Sequence, residues 1–111
     1  MIAIIDYGVG NLFSLASSLK SLGLETKVTR DAAAIRAADH IILPGVGAFA
    51  DAMAKLEATG LVPVIKQEVE HKPLLGICLG MQLLFEKSYE YGERTGLGLI
   101  PGEVCPLADD L

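Results

Sequence analysis

The sequence contains little cysteine, histidine or positive charge. Two cysteines, Cys78 and Cys105, form no CxxC pair, and the two histidines, His40 and His71, share no zinc-ligand spacing with them. We therefore expect free thiols, no disulfide framework, and neither a metal site nor another cofactor. Nine lysines and arginines against 14 acidic residues give a net charge of −5, which disfavours nucleic acid and anionic membranes as partners.

Long hydrophobic runs are also missing. No apolar stretch approaches the roughly 18 residues that would span a bilayer, and the N-terminal segment MIAIID lacks the basic and apolar regions of a signal peptide. A cytosolic location is therefore expected. Hydrophobic residues nevertheless make up 51% of the 111 residues, which predicts one modest folded domain and excludes general disorder.

Short apolar runs alternate with helical patterns along the chain. Strands are predicted at residues 2–5, 24–29, 40–43 and 73–77, and helices at 12–22, shortly after Asp31, and at 49–59, 63–72 and 79–87. The tail, residues 96–104, predicts two short strands or a strand and a turn. This order predicts an α/β fold with a mostly parallel sheet and helices on both faces. Ligands of such sheets bind beyond the carboxyl ends of the strands, where YGVG, PGVG and GICLG all lie.

The segment LLGICLGMQLLF places Cys78 between Gly76 and Gly80, after a predicted strand and before a predicted helix. This G-x-C-x-G pattern is the cysteine form of the nucleophile elbow. The start of a helix favours a thiolate, and the N–H of Leu79 would point toward an oxyanion. The alternative is a buried structural cysteine, the common fate of a cysteine among apolar neighbours. Cys105 lacks this context and is expected to have a packing role.

Three motifs, IIDYGVGNL, LPGVGAF and GICLGMQLLFE, follow one another along the chain. The last resembles the nucleophile motif of triad-type, class I glutamine amidotransferases, and all three together resemble the glutaminase subunits of imidazole glycerol phosphate synthases. The resemblance implies a flavodoxin-like three-layer fold, with residues 1–111 as the N-terminal part of a single domain. It also implies hydrolysis of glutamine to glutamate and ammonia, with ammonia passed to a (β/α)8-barrel cyclase subunit in histidine biosynthesis.

The resemblance assigns catalytic roles to particular residues. Cys78 matches the nucleophile that forms a glutamyl thioester. Gly45, Val46 and Gly47 lie in the segment that matches the oxyanion strand, where a backbone N–H has to reorient before it can act. Leu79 matches the second oxyanion donor. Without the resemblance, PGVG would be interpreted as an ordinary turn after a buried strand.

Two further residues match positions that contact the substrate. Gln82 matches a position near the bound glutamine, and Glu90 matches one that receives its α-amino group. The alternatives are an exposed helix residue for Gln82 and a solvated loop charge for Glu90. Residues 7–11, YGVGN, could form a phosphate-binding turn, but they lack a full G-x-G-x-x-G pattern. A turn that starts a helix, with Asn11 as N-cap, is the favoured interpretation there.

The resemblance also implies a catalytic histidine, oriented by a glutamate, on a strand far downstream of the cysteine. Only 33 residues follow Cys78, and none of residues 79–111 is histidine. His40 and His71 fall at the amino ends of their predicted strands, so neither is expected to act as the base. The chain is interpreted as a fragment that is inactive by itself. Two alternatives stay open: a non-catalytic interaction module that keeps the fold, and a stress-protein-like relative. The second is disfavoured because Leu79, not histidine, follows the cysteine.

Overall fold

Four parallel strands form the main sheet of the molecule. The computed structural model describes residues 1–105 and 107. The strands are β1 (Ile2–Ile5), β2 (Thr26–Thr29), β3 (His40–Leu43) and β4 (Leu74–Gly76), in the spatial order β2-β1-β3-β4. Ile4 of β1 lies opposite Val28 on one side and Ile42 on the other. With β1 and β3 adjacent in the interior of the sheet, their carboxyl ends meet at one edge, where such folds bind ligands.

Helices connect the strands, as the alternating pattern predicts. They are α1 (Leu12–Ser21), α2 (Ala32–Ala37), α3 (Phe49–Ala58), α4 (Val62–Glu68) and α5 (Leu79–Leu83). The Asn11 side chain caps α1 by accepting a hydrogen bond from the N–H of Ser14, and Asp31 caps α2 in the same way. The predicted α/β architecture is confirmed, although β2 begins at Thr26 and α4 ends at Glu68, both within the predicted ranges.

The two faces of the main sheet are covered unequally. Ala3, Ile5, Ile41 and Leu43 alternate along β1 and β3 and belong to the buried core, together with side chains from α2 to α5. The opposite face carries α1, which has no fully buried residue. Beside α1 this face borders an open apolar cavity of about 560 Å³, lined by residues that include Leu19, Ile42 and Leu75.

A second, small sheet replaces the end of the last predicted helix. The prediction of a helix over residues 79–87 is wrong beyond Leu83, since residues 85–88 form a strand. This strand, β5 (Phe85–Ser88), pairs antiparallel with β6 (Arg94–Thr95) and parallel with β7 (Ile100–Val104). The carbonyls of Leu83 and Leu84 accept hydrogen bonds from Leu97 and Leu99, both 2.8 Å long, and not from a further helical turn. A contact distant in sequence therefore ends α5.

No helix in the described part of the chain combines the length and the apolar character that crossing a membrane requires. Among the same residues, no three or more histidine, cysteine, aspartate or glutamate side chains are grouped to hold a metal ion.

Candidate active site

Cys78 lies at the junction between β4 and α5. The N–H of Ile77 donates to the carbonyl of Leu43 over 3.0 Å, which continues the pairing with β3 up to the turn. Cys78 then adopts φ 56° and ψ −125°, and α5 begins at Leu79. Such a conformation costs a residue with a Cβ about 1–3 kcal/mol and occurs preferentially at functional sites. The predicted order of strand, cysteine turn and helix is confirmed, and the thiol is exposed.

Two glycines allow α5 to lie directly against the strands. A Cβ on Gly80 would lie 1.9 Å from the carbonyl oxygen of Leu43, and one on Gly76 would lie 2.6 Å from the Cα of Met81. Any larger residue would push the helix away from the sheet. The glycines of the G-x-C-x-G pattern therefore fix how closely the cysteine turn approaches the end of β3.

The PGVG loop, residues 44–47, follows β3 and contacts the start of α5. The N–H of Leu79 donates to the carbonyl oxygen of Gly45 over 3.2 Å. A Cβ on Gly45 would lie 2.6 Å from the backbone nitrogen of Gly80, so the loop and the helix touch without a gap. Val46 is exposed. In this conformation the Leu79 N–H is already hydrogen-bonded to the Gly45 carbonyl. It can bind an oxyanion only after the loop changes its conformation.

Tyr7 holds the beginning of the PGVG loop, a role that the sequence pattern did not reveal. Its hydroxyl donates a hydrogen bond to the carbonyl of Pro44, and its side chain is buried. Burial raises the pKa of Tyr7 to about 12, so the hydroxyl keeps its proton and remains a donor. The available signal was its position directly after β1, at the ligand-binding edge of the sheet. The rest of YGVGN leads into α1, as the helix-start interpretation predicts.

Gln82 and Glu90 line the same small pocket, about 160 Å³ in volume. Oε1 of Glu90 accepts a hydrogen bond from the N–H of Phe49 over 3.1 Å. The N–H of Glu90 donates to Oγ of Ser88 over 3.1 Å, and Ser88 is completely buried. Glu90 is therefore bonded and partly buried, unlike a solvated loop charge, and Gln82 is also only partly exposed.

The remaining cysteine and both histidines differ in position from Cys78. Cys105 follows β7 and is exposed, so the predicted packing role is wrong: β7 lies at the edge of the small sheet, outside the core. His40 begins β3 opposite Ile2, at the amino end of the sheet. His71 is 64% exposed, with Nε2 3.6 Å from the carboxylate of Glu68. Neither histidine lies at the edge of the sheet that carries Cys78.

Comparison with known proteins agrees with this geometry. Residues 3–98 match the family model for class I glutamine amidotransferases. The HisH subunit of imidazole glycerol phosphate synthase from Exiguobacterium sibiricum is 52% identical over 111 residues, which cover 100% of this chain and 57% of that protein. The HisH subunit from Moorella thermoacetica is 59% identical over 104 residues, covering 93% and 50%. For Aquifex aeolicus HisH the identity is 55% over 106 residues, covering 94% and 51%.

A solved structure also shares the fold. It is described as the crystal structure of glutamine amidotransferase, and it aligns with a TM-score of 0.78 over 95% of this chain and 56% of that chain, at 23% identity. This chain spans about half the length of the curated relatives it matches. The family model and the identity to the relatives extend over nearly all of its sequence. The chain therefore belongs to the class I glutamine amidotransferase family.

Proposed function

We propose that this chain supplies the nucleophile and the oxyanion donors of a glutaminase, with Cys78 attacking the side-chain amide of glutamine. The observation that carries the proposal is the exposed thiol at positive φ, followed directly by the Leu79 N–H at the start of α5. The family to which the chain belongs, and its sequence identity to HisH subunits, favour glutamine as the substrate and histidine biosynthesis as the context.

In the first step, the Cys78 thiolate adds to the amide carbon and negative charge develops on the carbonyl oxygen. The Leu79 N–H would receive this oxygen once the Gly45 carbonyl has turned away from it. Because the Gly45 carbonyl and the Val46 N–H belong to one planar peptide unit, the same rotation would present the N–H of Val46. Each such donor is worth roughly 10²–10³-fold in rate at comparable sites.

In the second step, the C–N bond breaks and ammonia leaves with a proton from a general acid. Water then hydrolyses the thioester, which gives glutamate and restores the thiolate. Both proton transfers need a base and acid in reach of Cys78. His40 and His71 both lie at the other end of the sheet, His71 just before β4 and 64% exposed, and none of residues 79–111 is histidine. The proposal therefore assigns this role to a histidine that these 111 residues do not contain.

Substrate and partner complete the proposal. Gln82 and Glu90 would bind glutamine through the pocket they share. Ammonia would pass to a partner subunit, for which we propose a (β/α)8-barrel cyclase; the similarity to proteins named as HisH subunits of imidazole glycerol phosphate synthase supports a partner of this kind. Two free cysteines agree with a reducing compartment, and we include a cytoplasmic location in the proposal.

Ammonia release from L-glutamine tests this function. The 111-residue chain alone should give a rate equal to that of its Cys78→Ala variant. An extended chain, in which this sequence is joined to the C-terminal half of the Exiguobacterium sibiricum relative, should release ammonia when its cyclase partner is present. Cys78→Ala in the extended chain should abolish that release. Turnover by the short chain would reveal a base among the residues described above.

A non-catalytic interaction module is the second candidate. It is favoured by the open apolar cavity beside α1, which a partner could cover. An extended chain that folds and binds the cyclase, but releases no ammonia, would support this candidate against the glutaminase.

A further inference from the structure

The start of α3, two residues after the PGVG loop, is anchored by a side chain from a distant part of the sequence. Phe49 is the first residue of α3, and its N–H donates to Oε1 of Glu90 over 3.1 Å. Ala48, at the N-cap position, offers no side-chain acceptor. Glu90 therefore satisfies one of the N–H groups in the first turn of α3 that have no partner within the helix.

Glu90 is itself held in place. Its N–H donates to Oγ of Ser88, which is completely buried at the end of β5. At the other end of the contact, the Phe49 side chain is also completely buried, so its N–H cannot move far without opening the core. Ser88, Glu90 and Phe49 thus connect the small sheet to the start of α3.

The PGVG loop is consequently fixed on both sides. The Tyr7 hydroxyl holds the carbonyl of Pro44 before the loop turns, and Glu90 holds the N–H of Phe49 after it. Between these anchors, Gly47 has φ 91°, a conformation that glycine adopts freely. The rotation that would free the Leu79 N–H is therefore confined to the peptides between Pro44 and Phe49.

We propose that Glu90 is a positioning residue that couples glutamine capture to the oxyanion loop, an inference that rests on the proposed function. One carboxylate oxygen holds the Phe49 N–H. A carboxylate has further acceptor capacity, so the second oxygen is left to receive the α-ammonium group of glutamine, the contact that the resemblance already implies for Glu90, in the pocket shared with Gln82. Because one side chain contacts both, the position of the substrate is fixed relative to the PGVG loop. Stabilisation of the oxyanion requires such a fixed position.

Two substitutions at Glu90 separate its two tasks. Glu90→Gln keeps an oxygen that can accept from Phe49 but removes the charge that attracts ammonium, whereas Glu90→Ala removes both. In the extended chain with its partner, Glu90→Gln should raise KM for glutamine about tenfold or more and change kcat less than about threefold. Glu90→Ala should raise KM similarly and lower kcat by a further factor of about ten.

A matched control is available in the loop between β5 and β6, which also carries Glu90. Glu93 is an exposed carboxylate whose contact is a surface ion pair with Lys87, 3.3 Å long, and Glu93→Gln should leave kcat and KM unchanged. If Glu90→Ala does not fold, Ser88→Ala takes its place. That variant keeps the Glu90 charge and removes the hydroxyl that orients it, so kcat should fall more than KM rises.

Amide hydrogen exchange in the 111-residue chain gives a readout without activity. The Phe49 amide should exchange slowly in the unsubstituted chain and in Glu90→Gln, and about tenfold faster or more in Glu90→Ala. Equal kcat for the two Glu90 variants, or equal Phe49 exchange in all three chains, would overturn the inference and leave the proposed function intact. No ammonia release from the unsubstituted extended chain would refute the proposed function and the inference together.

Discussion

At Cys78, the side chain that the proposed chemistry needs and the backbone conformation favour different residues. The chemistry needs a thiol, whereas φ 56° with ψ −125° is a low-energy conformation only for glycine. The close contacts of Gly76 and Gly80 hold this turn in place, since they leave the chain no room to relax toward a less strained path. A cysteine at this position therefore lowers the stability of the chain, which is common for residues kept for function.

Replacement of Cys78 by glycine should stabilise the chain. Glycine normally costs about 0.5–1 kcal/mol relative to alanine, but here strain relief should reverse the sign. We expect the free energy of unfolding of Cys78→Gly to exceed that of Cys78→Ala by about 1 kcal/mol in urea titrations. As a control, Ala54→Gly on the exposed side of α3 should lower stability relative to alanine by about 1 kcal/mol. A Cys78→Gly variant less stable than Cys78→Ala would show that the turn is unstrained.

At the scale of elements, local signals predicted most of the fold. Two kinds of signal act within a few residues and are visible in the sequence. They are the side-chain caps at Asn11 and Asp31, and the order of strand, glycine, cysteine and glycine around Cys78. What the sequence did not reveal depends on contacts between distant segments. α5 stops because the N–H groups of Leu97 and Leu99 donate to the carbonyls at its end. The orientation of the Gly45 carbonyl likewise follows from its hydrogen bond with the Leu79 N–H. No periodicity reports such contacts.

The end of α2 depends on one buried lysine from beyond α4. Nζ of Lys72 donates to the carbonyls of Ile35, Arg36 and Ala38 over 3.1, 3.0 and 2.7 Å. It also pairs with the Glu68 carboxylate at 2.8 Å, and both side chains are nearly inaccessible to solvent. Lys72 thereby satisfies helix-terminal carbonyls that would otherwise lack a partner.

The Glu68–Lys72 contact should make stability depend on pH. The hydrogen bond from Lys72 holds the pKa of Glu68 below its usual value of about 4.5. The folded state then favours the ionised carboxylate, so this contribution is present above about pH 4.5 and is lost as the pH falls through the lower pKa of the folded state. Glu68→Gln should lower the urea midpoint at pH 7, and its difference from the unsubstituted chain should be smaller at pH 3.

An exposed carboxylate close in sequence provides the control. Glu70→Gln should change the urea midpoint little at either pH, because the Glu70 side chain is exposed. A Glu68→Gln variant whose deficit is the same at pH 7 and pH 3 would show that the Lys72 contact does not depend on ionisation of Glu68.

At the scale of the whole molecule, the main sheet leaves apolar surface accessible in the described part of the chain. The cavity beside α1 is lined by residues of β1, β3 and β4, and among them Leu75 is 57% exposed. Strand β4 is also an edge of the sheet, with backbone groups on one side that pair with no other strand described. Contiguous apolar patches and open edges promote association between chains.

Replacement of Leu75 by lysine should reduce association of the 111-residue chain. Lysine places a charge on the open face, where it repels a second copy, and the mostly exposed side chain contributes little to the folded core. We expect a larger monomer fraction in sedimentation velocity and weaker ANS fluorescence, with a free energy of unfolding within about 0.5 kcal/mol of the unsubstituted chain. Leu22→Lys is the matched control, since Leu22 is 73% exposed at the end of α1 and does not line the cavity. If both variants reduce association equally, net charge and not the open face of the sheet controls it.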